Sequence, residues 1–298
     1  MVTSEGLIAL DWGSTRLRAF LLGGDGAVLA ARQSEDGASA LTGDAAFSKA
    51  LAAVTQGWPE LPLIACGMVG SQHGWHEAPY APCPADSADI AQRAVKVNDR
   101  LWIIPGLQYD DGVQPDVMRG EETQIVGALA ARPELAELSN LVLPGTHSKW
   151  ARIRAGKVVS FATHMTGELY ALLRRHSVLA RLMPNDEAPG DSHVFEAGLH
   201  AASQGGALSH QLFAVRTLGL FERLPIEQLT DYLSGLLIGH EVAHELKSNP
   251  PGQIALIGEA ALCGRYAAAL RHFGADSVLQ LNNTAPAGLW HLARNIAV

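Results

Sequence analysis

Cysteine is scarce in this 298-residue chain: Cys66, Cys83 and Cys263 are odd in number, widely spaced, and form no C-x-x-C pair. A disulfide framework is excluded, and three reduced thiols suit a cytoplasmic protein. Long apolar runs are missing too. No stretch approaches the roughly 20 residues that a membrane helix needs. Residues 1–6 lack the basic region and apolar stretch of a secretory signal. Positive charge is in short supply: 22 Lys and Arg stand against 30 Asp and Glu, a formal net charge of −8. That excludes the clustered basic surface of a nucleic-acid binder, though not a small anionic ligand held by a few arginines and a metal ion. Two nucleotide signatures are also absent, G-x-x-x-x-G-K-[ST] and G-x-G-x-x-G, so neither a P-loop nor a Rossmann site is expected.

What is present is a chain with 48% hydrophobic residues, long enough for two domains. Residues 7–10 read as a buried strand ending at Asp11, a Gly13-Ser14-Thr15 turn follows, and 16–22 alternates as a strand. Gly23-Gly24-Asp25-Gly26 turns the chain into a third strand over 27–32. Helices are expected over 45–56, 86–97 and 121–131, with strands over 61–66 and 101–104. The opening pattern then recurs half a chain later. An apolar run at 141–143 leads into Pro144-Gly145-Thr146-His147-Ser148, a strand over 149–154, the turn Ala155-Gly156-Lys157, and a strand over 158–163. Such an offset implies two related α/β domains, divided near residue 135 into 1–135 and 136–298, rather than a solenoid. Beyond it lie a helix from 168 to about 182, a Pro- and Asp-rich loop over 184–191, and helical sequence through 246. A strand over 254–257, a helix over 260–273, a strand over 277–281 and a helix over 286–296 complete the chain.

Two glycine loops bearing hydroxyls at strand ends suit a nucleotide triphosphate. Glycine lets backbone N–H groups approach phosphate oxygens, and Ser and Thr add donors. Asp11 is placed to orient the water shell of Mg²⁺. Ordinary hairpins would use the same residues, but a matched pair of such loops is less ordinary.

Asp11-Trp12-Gly13-Ser14-Thr15-Arg16-Leu17-Arg18-Ala19 resembles the first phosphate motif of the glycerol and pentulose kinases, and Gly145-Thr146-His147-Ser148-Lys149 their second. Ile257-Gly258-Glu259-Ala260-Ala261 is loosely similar to the adenosine motif. A closer similarity is to the 2-dehydro-3-deoxygalactonokinase family. It is carried by Gly67-Met68-Val69-Gly70-Ser71, Met118-Arg119-Gly120-Glu121-Glu122-Thr123-Gln124, Leu143-Pro144-Gly145-Thr146-His147-Ser148-Lys149-Trp150 and Met165-Thr166-Gly167-Glu168. The resemblance implies two ribonuclease-H-like domains of the actin and hexokinase type with Mg²⁺ and ATP in an interdomain cleft. It also implies phosphorylation of 2-dehydro-3-deoxy-D-galactonate on its 6-hydroxyl in galactonate breakdown. By position, Asp11, Gly13, Ser14, Thr15 and Arg18 would face phosphates and metal, Gly145 and Thr146 the second phosphate loop, and Gly258 the adenosine.

Phosphoryl transfer needs a carboxylate to take the acceptor's proton. Glu121 stands where wider sugar kinases place an Asp after a Gly, and Asp116 competes for the role. Helix-dipole complementarity alone would also explain a Glu pair in a first turn. Gln72 and His73 can bond sugar hydroxyls, Trp75 offers a flat apolar wall, and Arg16 or Arg119 could hold the substrate carboxylate. The partner is therefore a sugar acid, with neither nucleic acid nor membrane; homo-oligomerisation stays open. A rival reading comes from His240-Glu241-Val242-Ala243-His244, which matches the H-E-x-x-H zinc-hydrolase signature and would take Glu259 as its third ligand. It accounts for five residues where the kinase reading accounts for five separate blocks.

Overall fold

The first apolar run forms β1 (Leu7–Trp12), buried almost throughout, as a central strand covered on both faces must be. β2 (Leu17–Leu22) and β3 (Val28–Ser34) follow as an antiparallel meander whose buried positions thin toward the edge. α1 (Asp44–Val54) sets Phe47, Ala50 and Val54, spaced by three and four, into the core beside Ile8, Leu10 and Trp12. β4 (Leu63–Gly67) then runs parallel to β1, with Asp11 opposite Cys66 and Trp12 opposite Gly67. The computed structural model describes residues 5–184, 190–248 and 252–296.

Next come β5 (Ala81–Pro82), α2 (Ser87–Ala91), β6 (Val95–Lys96) and β7 (Leu101–Ile103). The helix expected over 86–97 is thus a single turn and a half. Asp86 and Asp89 cap its start reciprocally, but Val95 and Lys96 leave it to pair antiparallel with β7. Sheet pairing of a β-branched residue outweighs a weak helical preference. β8 (Leu107–Tyr109) and β9 (Asp116–Met118) form a small sheet with β5 and lead into α3 (Glu121–Ala131).

The second series is β10 (Leu138–Leu143), β11 (Ser148–Arg154) and β12 (Lys157–His164), then α4 (Thr166–His176). Helices α5 (Ser192–Ser203), α6 (Leu208–Leu220) and α7 (Leu229–Ser248) follow. β13 (Gln253–Ile257), α8 (Ala260–His272), β14 (Val278–Leu281) and α9 (Ala285–Asn295) close the chain. Residues 185–189 of the loop expected over 184–191 lie outside the described residues.

The large sheets have the orders β3-β2-β1-β4-β7-β6 and β12-β11-β10-β13-β14. Apart from the extra edge strand β6, both run third, second, first, fourth, fifth. The repeat expected from the two glycine loops is a repeat of topology.

The chain groups into two compact units: Met1–Leu141 with Ala151–Ala162 and Asn283–Val298, and Val142–Trp150 with Thr163–Asn282. Where the sequence suggests one crossing near 135, the C-terminal helix returns to the first unit. The reason is local. A Cβ on Gly288 would lie 1.9 Å from the Thr123 carbonyl oxygen, and one on Gly127 would lie 2.0 Å from that of Thr284. Only bare backbone lets α9 and α3 approach so closely. The Thr284 hydroxyl adds a 2.6 Å bond to the Gln124 carbonyl.

Candidate functional site

In the first unit the ends of β1 and β4 meet the start of α3. Asp11 closes β1, and its Oδ2 accepts a bond from Arg18 Nη1 at 3.0 Å. Between them, Gly13 N–H bonds the Arg16 carbonyl at 2.9 Å, so residues 13–16 form a tight turn with Ser14 and Thr15 exposed at its tip. Gly67 ends β4 at φ +91°, and a Cβ there would come within 2.7 Å of the Trp12 carbonyl oxygen; the crossing of the two strand ends requires glycine.

The two acids at the start of α3 have different surroundings. Consecutive helical residues point about 100° apart, so one side chain goes inward and one does not. Glu121 is half-buried, and its Oε2 accepts the Arg119 N–H at 3.1 Å. Glu122 is 0% exposed. Its oxygens accept the Gly120 N–H at 2.6 Å and the Thr123 hydroxyl at 2.9 Å. Burial, and secondarily the Glu121 charge, pushes the Glu122 carboxyl up to about 7. Cys66 is buried beside them; burial first, then the charges of Asp11 and Glu122, holds its thiol well above its ordinary range, so it is no nucleophile. Asp116 lies on β9, half-buried, with Oδ1 accepting the Val117 N–H at 2.7 Å.

The expected substrate residues separate. Gln72 and His73 are exposed on a turn closed by Gly74 N–H to the Ser71 carbonyl. The Trp75 ring is taken up by the core, stacked on Phe47 at 5.6 Å and edge-on to Trp12 at 6.0 Å. It underpins the turn; an apolar ring with such partners gains more from the core than from an open wall. Arg16 is half-exposed and paired with Glu35 at 3.3 Å. The Arg119 guanidinium lies 4.2 Å over the Tyr80 ring and donates from Nη2 to the Ala78 carbonyl at 2.9 Å. Its Nε and Nη1 are buried without a hydrogen-bond acceptor.

The second unit contains a cavity of about 590 Å³ bordered by Gly145, Thr146, Thr166, Gly167, Arg265 and Tyr266, among others. That volume is of ligand size. Gly145 has open space where a Cβ would stand, and the Glu168 N–H bonds the Thr146 carbonyl at 3.0 Å. The Gly145-Thr146 loop therefore rests on the N-terminus of α4, where backbone donors favour anions. His147 and Glu168 pair at 2.5 Å beside it. Asp231 accepts from Arg265 Nη2 at 2.6 Å and from the Asp191 N–H at 2.9 Å, fixing the guanidinium at the cavity edge. Gly258, at φ +148°, lies against the Pro144 carbonyl oxygen. Its neighbour Glu259 borders the cavity and caps α8 through the Ala261 and Leu262 N–H groups, which lower its pKa.

The H-E-x-x-H segment lies on α7 but does not converge on a metal. His240 bonds Gln211 of α6, whereas His244 sits edge-on to His164 at 6.3 Å. Glu241 is not on a wet face, as the signature would need; it is 4% exposed and bonded to Ser148, Trp150 and Tyr266. Among the described residues no group of three His, Cys, Asp or Glu could hold a metal ion. Glu122 and the Asp231–Arg265 pair were not singled out from sequence, and Glu241 was singled out only within the zinc-hydrolase signature. A polar residue amid apolar helix positions was the available signal.

A family profile described as 2-keto-3-deoxy-galactonokinase matches residues 11–292. Over 295 residues the chain is 41% identical to the 2-dehydro-3-deoxygalactonokinase of Escherichia coli (strain K12), covering 97% of this chain and 98% of that protein. A crystal structure from Sinorhizobium meliloti, assigned provisionally as a 2-dehydro-3-deoxygalactonokinase protein, superposes with a TM-score of 0.88 at 36% identity, over 97% of this chain and 99% of that one. The activator of the 2-hydroxyisocaproyl-CoA dehydratase from Clostridium difficile shares the fold alone, with a TM-score of 0.53 at 13% identity over 96% and 92% of the two chains. The fold is the doubled α/β arrangement of the actin and hexokinase type. The chain belongs to the 2-keto-3-deoxy-galactonokinase family.

Proposed function

We propose that this protein is an ATP-dependent carbohydrate kinase that phosphorylates 2-dehydro-3-deoxy-D-galactonate on its 6-hydroxyl. The observation that carries the reading is full-length relatedness at 41% identity to a protein named for that reaction. The geometry supports a division of labour. The first unit offers a carboxylate at a helix start and a turn with exposed hydroxyls; the second offers a ligand-sized cavity edged by an open glycine loop.

Glu121 takes the proton from the acceptor hydroxyl. It is the less buried of the two acids, and its anchor on the Arg119 N–H keeps one oxygen fixed while the carboxylate faces its task. Asp116 is the rival base. Gly145 and Thr146 contact the phosphates with their backbone and hydroxyl, and the N-terminus of α4 favours the negative charge. Asp11 would orient the hydrated Mg²⁺, whose charge neutralises phosphate oxygens when bound. The Asp11 carboxylate is paired with Arg18, the other charged group proposed for this phosphate site. The donor set, one carboxylate with exposed Ser14 and Thr15 hydroxyls, suits a water-rich magnesium shell.

Arg119 rather than Arg16 serves the substrate carboxylate. Arg16 is paired in solvent, where a further ion pair adds little. Arg119 is preset by Tyr80 and Ala78, beside the turn that carries Gln72 and His73, and the turn must shift for its covered N–H groups to be used. The test is ADP release with Mg²⁺ over a panel of 2-dehydro-3-deoxy sugar acids. Turnover confined to another acid would move the substrate, and no turnover with any of them would overturn the kinase reading.

A further inference from the structure

We propose that Glu241 is a positioning residue for nucleotide binding: from behind the cavity its carboxylate fixes both Tyr266 and the strand that leaves the second phosphate loop. The inference rests on the unit 2 cavity being the nucleotide site. Glu241 sits within α7 and is 4% exposed. Its Oε1 accepts from the Ser148 hydroxyl and from Trp150 Nε1, both at 2.7 Å. Its Oε2 accepts from the Tyr266 hydroxyl at 2.8 Å.

The three donors come from two elements: β11, which follows the cavity-lining Gly145 and Thr146, and α8, which lines the cavity itself. Ser148 and Trp150 are on β11, starting two residues after Thr146, so a bond to either sets the exit of the phosphate loop. Tyr266 is on α8 and lines the cavity directly, as do Thr146 and Thr166. One carboxylate therefore ties α7 to the loop's strand and to the cavity wall.

Chemistry explains why the residue is an acid. A buried carboxylate is costly unless its oxygens are bonded, and here three donors converge on it. Apolar side chains could pack α7 against the sheet without that cost. Glutamine could satisfy Ser148 and Trp150 with its oxygen, but its amide would present N–H to the Tyr266 hydroxyl and reverse that bond. The tyrosine would then be held by a weaker, neutral contact with its proton turned elsewhere. Small displacements of a positioning wall cost much in binding and rate.

Glu241→Gln, Tyr266→Phe and the double variant decide it, with ATP and sugar acid varied separately and ADP affinity measured by calorimetry. Glu241→Gln should raise the KM for ATP and the Kd for ADP about 10-fold or more, while the KM for the sugar acid changes less than about 2-fold. Tyr266→Phe should give a smaller shift in the same constants, and the double variant should be no worse than Glu241→Gln alone, since both act through one bond. Unchanged ADP affinity in a folded Glu241→Gln protein overturns the inference, and so does an equal loss of ATP and sugar-acid binding, which marks general loosening. Should Glu241→Gln not fold, Tyr266→Phe decides: unaltered ADP affinity overturns the inference. A wild-type protein that binds no ADP overturns the cavity reading itself, an outcome distinct from wild type and variants binding equally.

Discussion

Replacing Glu122 by Gln should make the protein gain stability relative to wild type as pH rises. The carboxyl is fully buried and its folded pKa is pushed from 4.5 up to about 7, by burial first and by the Glu121 charge second. Between those values the folded state keeps a proton that the unfolded state has lost, so wild-type stability falls with rising pH across the window and the cost is complete above 7. A shift of this size corresponds to about 3 kcal/mol, of which about 2 to 3 kcal/mol develops between pH 5 and pH 8. The amide introduced by Glu122→Gln could still accept from the Gly120 N–H and could donate to the Thr123 hydroxyl, so the packing need not change. Urea unfolding of both proteins at pH 5 and pH 8 isolates the effect, because every other titration is shared. The stability difference should move by that amount in favour of the variant. Parallel pH dependences would refute the reasoning and mean that Glu122 ionises in the folded protein at an ordinary pH. Adding Glu121→Gln to wild type should weaken the effect, since it removes the second cause.

Glu121→Gln should lower kcat and kcat/KM together by roughly 10²- to 10⁴-fold with little change in ATP or sugar binding; the same loss in Asp116→Asn with Glu121→Gln unaffected would transfer the base to Asp116. Arg119→Lys should raise the sugar-acid KM about 10-fold while the ATP KM holds, because lysine cannot reproduce the stacked, bidentate geometry; equal KM values in wild type and variant would remove Arg119 from the substrate site. Gly288→Ala places a methyl group against the Thr123 carbonyl oxygen and should destabilise the protein by at least about 2 kcal/mol, read from the urea midpoint; a change under about 0.5 kcal/mol would mean that α9 can move away freely.

Much of this fold was legible because it is local. On either side of Gly13 and Gly145 an apolar run, a glycine turn and a further strand follow one another within a few residues, and Glu121 follows a glycine at a helix start. The return of α9 to the first unit was not legible, since it depends on two glycines far apart in the chain, Gly127 and Gly288, meeting across a helix crossing. Trp75 was ambiguous for a different reason. An aromatic after a glycine-rich turn looks the same whether it faces a sugar or a core, and only Phe47 and Trp12, from other elements, decide the matter.

The acids carry the same lesson into chemistry. Glu121 and Glu122 are neighbours with one side chain formula, yet the helix turns them about 100° apart and leaves only one near solvent. The outer one is the base in the proposed function. The inner one has both oxygens engaged, by the Gly120 N–H and the Thr123 hydroxyl, and so holds the start of α3 together. Glu241 repeats the arrangement in the second unit, an inward acid whose donors belong to β11 and to the cavity wall. Its two flanking histidines made it look like a metal site, because a helical motif records spacing alone. Donors decide what a carboxylate does. Three of them hold the Glu241 carboxylate inward, away from water, and on the inference above the same three make it the joint between β11 and Tyr266.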